Sequence, residues 1–170
     1  MKGMVQVYTG NGKGKTTAAL GLALRASGAG LKVFIGQFVK GQEYSELKAI
    51  EKIPGLELEQ FGRSCFIRKE PEEEDYQAAR RGLEVAAKKL SSGNYDIVIL
   101  DEAMIALKYQ LFSFADLWQA ISQRAEGVEV IITGREAPKE LIDKADLVTE
   151  MKEIKHYFQQ GVKARVGIEK

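Results

Sequence analysis

The chain has 170 residues, the length of one domain and too short to hold two comfortably. Hydrophobic residues make up 45% and charged residues 29%, which excludes long disorder. A chain of this size buries roughly 70% of its unfolded surface, so it folds without disulfides or metal. The 25 Lys and Arg against 24 Asp and Glu leave a net charge of +1, which argues against a duplex nucleic-acid binder held by bulk charge, and the single cysteine, Cys65, excludes an internal disulfide and a Cys-cluster metal site.

Short apolar runs alternate with helical patterns. Met4 to Thr9 reads as a strand, followed by a Gly-rich turn and a helix over Thr16 to Ser27 that stops at Gly28 and Gly30. Lys32 to Val39 is a second strand, Tyr44 to Lys52 a short helix, and Leu56 to Phe61 a third, weaker strand. Glu70 to Leu90 is helical because Leu83, Ala86, Ala87 and Leu90 recur at i, i+3, i+4 and i+7. The acidic residues 72–75 in its first turn have the sign that suits a helix N-terminus. Asp96 to Asp101 is a buried strand by its continuous apolar run. Phe114 to Gln123 is a helix with Ser113 as N-cap, and the i, i+4 pair Phe114 and Trp118 belongs to the core. Val128 to Thr133 is a strand, Pro138 to Ala145 a short helix, and Leu147 to Ile154 the last strand. Pro71 and Pro138 mark helix starts.

Strand and helix alternating throughout predict one α/β domain over residues 1–170. Its mainly parallel sheet has five or six strands, with helices on both faces. Ligands of such sheets bind beyond the carboxyl ends of the strands, here just after Thr9, Val39, Leu100 and Thr133. No apolar run approaches the roughly 20 residues that span a bilayer, and Met1 leads almost directly into a strand with no charged-then-apolar leader. The expectation is a cytoplasmic protein that binds neither membrane nor nucleic acid.

The first strand end carries the strongest signal. Thr9-Gly10-Asn11-Gly12-Lys13-Gly14-Lys15-Thr16-Thr17 before a helix is a phosphate-binding loop. Its glycines let backbone N–H groups turn inward around an anion, and the helix start adds unpaired N–H donors. Lys15 brings charge to the phosphates, and the Thr16 hydroxyl can bind Mg²⁺. The general pattern asks for Gly six residues before the lysine, where this sequence has Thr9. The bland alternative is a Gly-rich turn with no ligand. Asp101-Glu102 after an apolar strand is where such proteins hold a metal, and two adjacent carboxylates point different ways, so one can bind the ion while the other serves nearby. A polar strand end with a helix cap is the alternative there. Arg135, beyond the Thr133-Gly134 turn, can reach a phosphate or remain a surface charge. Gln37 and Lys40 face the same edge. Arg25, two and a half turns into the first helix, is by default a surface charge. Lone His156 and Cys65 read as structural, and the Gly-rich segment 161–169 as a flexible tail or a cover folding over a ligand.

Taken together these segments resemble the P-loop ATP:corrinoid (cob(I)alamin) adenosyltransferases over nearly the whole chain. The resemblance rests on Val7 to Ala19, Gln37-Phe38-Val39-Lys40-Gly41, Val98 to Glu102, Ile132 to Arg135, and Lys155-His156 with Gly161 to Ala164 and Gly167-Ile168-Glu169. Thr9 in place of Gly is that family's own form. The resemblance implies a single-domain P-loop NTPase-like (RecA-like) α/β fold. It also implies transfer of the 5′-deoxyadenosyl group of ATP to the Co(I) of a reduced corrinoid with release of triphosphate, in adenosylcobalamin biosynthesis or salvage. By the same resemblance the nucleotide lies reversed in the loop. Gly10, Asn11, Gly12, Lys13, Gly14, Lys15, Thr16 and Thr17 bind the triphosphate, with Arg25 and Arg135 near it. Thr16 and Glu102 hold Mg²⁺ or Mn²⁺, and Lys15, Thr16 and Glu102 carry the catalysis. An electron donor that makes Co(I) and a homodimeric state are implied as well. Some relatives place a Phe-x-Trp pair on the corrinoid face to displace its lower axial ligand; here Phe66 matches the Phe, and Arg68 stands where Trp would be. An ordinary P-loop NTPase or small-molecule kinase acting at the γ-phosphate is the first rival, and a non-catalytic nucleotide-sensing or corrinoid-carrying module the second.

Overall fold

A computed structural model describes residues 2–42, 44–63, 67 and 70–169. Its elements in chain order are β1 (Val5–Thr9), α1 (Lys15–Gly28), β2 (Val33–Phe38), α2 (Ser45–Ile50), β3 (Leu56–Phe61), α3 (Glu73–Ser91), β4 (Ile97–Asp101), α4 (Ala103–Lys108), α5 (Phe114–Ser122), β5 (Glu129–Thr133), α6 (Lys139–Lys144), β6 (Leu147–Glu150) and a 3₁₀ turn over Tyr157–Gln160. The six strands form one sheet in the order β3-β2-β4-β5-β1-β6. Every pairing is parallel, which makes this an α/β P-loop NTPase-like fold.

Alternation along the strands divides the core between two faces. Val33, Ile35, Ile97, Ile99 and Ile131 meet the Ala19, Ala23 and Ala26 stripe of α1. Phe34, Phe38, Val98, Leu100, Val130 and Ile132 point the other way, against Ala79, Ala86 and Leu90 of α3 and Leu117 and Ile121 of α5. The small alanine stripe lets α1 lie close to the sheet, which fixes the loop that precedes it. On the opposite face Gly82 of α3 packs against the Phe61 ring, 2.6 Å from where a Cβ would sit. Phe114 and Trp118 stack at 6.2 Å between centroids and pack partly buried against this second core.

Three expectations shift. The long helix begins at Glu73, with Glu72 and Asp75 forming a reciprocal cap; Pro71 lies two residues before it. The last strand stops at Glu150 and does not run to Ile154, because it lies at the sheet edge with all four residues exposed. The short helix α4 was not anticipated, since its six residues are too few to show a periodicity. Among the described residues, no helix is long and apolar enough to cross a membrane.

Candidate active site

Among the described residues six polar or charged ones are buried, and five of them, Thr9, Lys15, Gln37, Asp101 and Thr133, lie at or just beyond the carboxyl ends of β1, β2, β4 and β5. Burying polar groups is costly unless they are paired, so their gathering at one sheet edge marks the site. A cleft of about 560 Å³ opens there.

The loop from β1 to α1 forms the cleft floor. Gly10 takes φ +102° and Gly14, the α1 N-cap, φ +121°. A side chain at Gly10 would also stand 2.5 Å from the Met151 carbonyl oxygen, which accepts the Gly12 N–H at 2.7 Å. Only glycine meets both demands. Lys15 folds back over its own loop, donating to the Gly10 and Gly12 carbonyls at 2.8 Å each. Burial pushes the Lys15 ammonium below its ordinary pKa, against the pull of Glu102 and Asp101.

Asp101 is the hub. Its side chain is 1% exposed and accepts four hydrogen bonds among the described residues. Thr16 and Thr133 hydroxyls donate to Oδ1 at 2.8 and 2.6 Å. Gln37 Nε2 and Lys40 Nζ donate to Oδ2 at 3.2 and 2.7 Å. Gln60 in turn donates to Gln37 Oε1 at 3.0 Å, which fixes the amide's orientation. Burial works against the Lys40 charge, but Asp101, with Glu102 and Glu46 farther off, outweighs it and holds its pKa above the usual lysine value. Lys40 is aimed at Asp101 by an unusual turn: Val39 has φ +57°, rare for a β-branched residue. Gly41 and Gly62 pack so closely that a Cβ on either would lie 2.4 Å from the opposing strand's backbone.

Glu102 follows in a left-handed conformation, φ +57°, with its N–H bonded to Thr133 Oγ1 at 3.0 Å. Its carboxylate accepts no hydrogen bond among the described residues and lines the cleft. Burial, then the negative charge of Asp101, raises its pKa above the ordinary glutamate value, against Lys40, Lys15 and Arg135.

The C-terminal segment closes one side. Gly167, Ile168 and Glu169 line the cleft beside the loop. Lys13 Nζ donates to Glu169 Oε1 at 2.9 Å, to the Ile168 carbonyl at 3.1 Å and to Tyr157 Oη at 3.1 Å. Arg165 and Tyr157 also bond to Glu169.

The sequence-expected residues mostly converge. Asn11 to Thr17, Glu102 and Arg135 line the cleft, and Gly10 meets Lys15 beneath it. Arg25 does not: it is exposed in the last turn of α1, ten residues or about 15 Å of helix from Lys15. It also lies about half a helical turn round from Thr16. Arg25 thus stands apart from the cleft that the other expected residues share. Phe66, Arg68 and Cys65 lie outside the described residues. Sequence reading gives no role to Tyr44, a structural one to His156 and only a general direction to Lys40, and all three line the cleft. Among the described residues, no three His, Cys, Asp or Glu side chains converge as a metal group. The hard oxygens of Thr16, Asp101 and Glu102 nevertheless suit a Mg²⁺ ion that draws its remaining ligands from phosphate and water.

Comparison with known proteins agrees with this geometry. The family model described as ATP:corrinoid adenosyltransferase BtuR/CobO/CobP matches residues 1–169. A corrinoid adenosyltransferase of Escherichia coli (strain K12) is 36% identical over 168 residues, covering 99% of this chain and 86% of the relative. The corrinoid adenosyltransferase CobA of Salmonella typhimurium is 34% identical at the same coverage. A corrinoid adenosyltransferase of Pseudomonas aeruginosa is 35% identical, with 99% and 84% covered.

Proposed function

Because the chain belongs to the ATP:corrinoid adenosyltransferase family, we propose that it moves the 5′-deoxyadenosyl group of ATP onto the Co(I) centre of a reduced corrinoid. The observation that carries the mechanism is the convergence of Lys13, Lys15, Lys40 and Arg135 on one cleft at the phosphate-binding loop. As the cobalt–carbon bond forms, the C5′–oxygen bond breaks and its electron pair leaves with triphosphate. The protein's task is to receive that charge. Loop N–H groups, Lys15 and Arg135, already placed, stabilise it more in the transition state than in bound ATP. Thr16 and Glu102 would hold Mg²⁺ or Mn²⁺, which supplies charge neutralisation at the phosphates. No protein nucleophile is required.

The reading extends to partners. An electron donor must deliver Co(I), and the single cysteine and the need for ATP suit the cytoplasm. The exposed apolar Leu147 and Val148 on edge strand β6 support a homodimer.

The test mixes protein, ATP, Mg²⁺ and chemically reduced cob(I)alamin without oxygen, following the corrin spectrum and assaying triphosphate. The expected result is a light-sensitive alkyl-cobalt spectrum with one triphosphate per corrinoid, and a loss of about 10²-fold or more in Lys15→Met. ADP and phosphate with an unchanged corrin spectrum would establish the NTPase rival instead.

A further inference from the structure

Lys40 belongs neither to the phosphate-binding loop nor to the carboxylate pair, yet the fold invests heavily in its position. The strained Val39 and the glycine-to-glycine packing at Gly41 and Gly62 turn the chain back at the end of β2. The Lys40 side chain, 14% exposed, then ends 2.7 Å from Asp101 Oδ2 and 3.5 Å from Thr16 Oγ1. The Tyr44 ring lies beside the same ammonium at 5.5 Å. Lys40 Nζ therefore occupies the space shared by the Thr16 hydroxyl and the buried carboxylate, where oxygen ligands for a divalent cation are found.

We propose that Lys40 is a positioning residue that acts as the site's built-in counter-ion, excluding a free divalent cation until nucleotide arrives. The physical basis is charge and occupancy. Among the described residues Asp101 accepts four hydrogen bonds, one of them from a cation. A metal ion that enters alone and uses Asp101 or the Thr16 hydroxyl must displace that ammonium and face Lys15 and Arg135 as well. Entering with a triphosphate, it brings excess negative charge that also gives the released ammonium a new partner. Cation and nucleotide binding are then strongly coupled, and by linkage each tightens the other by the same factor.

The inference rests on the nucleotide-and-cation reading above, and its test does not use the transfer reaction. Mn²⁺ is titrated into the full-length protein and the free ion is read from its electron paramagnetic resonance signal, with and without ATP; because ATP itself binds Mn²⁺, protein-bound ion in the ATP series is the loss beyond that of the same ATP titration without protein. Wild type should bind Mn²⁺ weakly alone and far more tightly with ATP. Lys40→Met should bind Mn²⁺ alone at least tenfold more tightly than wild type, with a correspondingly smaller gain from ATP. Lys40→Arg should keep the wild-type pattern. Arg135→Gln, which removes a cleft charge that does not touch Asp101, should gain less than Lys40→Met. Lys40→Gln serves as a second neutral variant if Lys40→Met does not fold. Unchanged or weaker nucleotide-free Mn²⁺ binding in the neutral variants, or an equal gain in Arg135→Gln, overturns the proposal and leaves the transfer reading standing. Absence of Mn²⁺ binding even with ATP overturns both.

Discussion

Replacing Asp101 by Asn isolates the energetic weight of the buried ion pair. Asn keeps the shape, and most of the neutral hydrogen bonds survive the exchange. Its carbonyl oxygen can take the Oδ2 place facing Gln37 and Lys40, and its NH₂ group then faces the Thr16 and Thr133 hydroxyls, which can rotate to accept. What Asn cannot supply is negative charge opposite Lys40 at 2.7 Å. Breaking a fully buried pair costs about 3–5 kcal/mol. The Lys40 side chain retains 14% exposure and can lean toward water, so the expected loss is about 2–4 kcal/mol. Urea unfolding should be followed by circular dichroism and by the fluorescence of Trp118, with chelator present and nucleotide absent, because ligands of the folded state would mask the change. Adding Lys40→Met to Asp101→Asn should restore at least about half of the loss, because the stranded charge is gone. A loss below about 1 kcal/mol, or a double variant less stable than either single one, would refute the view that Lys40 is held in place by its charge partner.

Two further outcomes follow from the same geometry. Arg25→Ala should change the KM for ATP by less than about twofold, since an exposed, screened charge at the far end of α1 contributes little; a tenfold rise would return Arg25 to the nucleotide. Hydrogen bonds from Arg165, Tyr157 and Lys13 hold the Glu169 carboxyl far below the ordinary glutamate range. A folded-state pKa depressed in this way gives a contact fully formed above the unfolded value of about 4.3 and lost only as pH falls through the lower, folded value. Hydrogen-exchange protection of residues 161–169, corrected for intrinsic rates, should therefore stay flat from pH 8 to 5 and fall at every pH in Glu169→Gln. A drop already between pH 7 and 5 would assign the closure to a group other than Glu169.

Much of the site is legible in the sequence because its parts are contiguous. Gly10 to Thr17 and Asp101-Glu102 sit beside each other in the chain, and strand ends bring the two runs together. The choice between Asp101 and Glu102 as partner of the Thr16 hydroxyl was also within reach. Ile97 and Ile99 face the alanine stripe of α1, so the next residue in that phase, Asp101, points toward the start of the same helix. Applied to α1, the same periodicity turns Arg25 away from the loop. Lys40 and the tail were not legible to that depth. Lys40 reaches Asp101 across 61 positions and Lys13 reaches Ile168 across 155, and neither approach leaves a periodic or local trace. Val39 in a left-handed turn contradicts the local preference of a β-branched residue, which is how functional sites commonly depart from sequence rules.

The three cleft lysines share a condition that bears on how the site handles a polyanion. Lys13 is engaged by Glu169, Lys15 by the Gly10 and Gly12 carbonyls, and Lys40 by Asp101. The protein by itself thus satisfies its own cations. Under the proposed function, nucleotide binding is an exchange of partners rather than the addition of new ones, and its net free energy is the difference between triphosphate and these internal acceptors. Lys15 makes the least costly exchange, since it gives up neutral carbonyls for charged oxygens. Lys13 and Lys40 must leave carboxylates, and they do so favourably only when the incoming charge is large. Such a site discriminates by charge. On that reading a triphosphate offsets the lost internal partners better than a nucleoside monophosphate does, chiefly at the buried Lys40–Asp101 pair, since the more exposed Lys13–Glu169 pair costs little to break. The same exchange favours catalysis, because charge that accumulates on the leaving triphosphate strengthens its hold on all three lysines as the C5′–oxygen bond breaks.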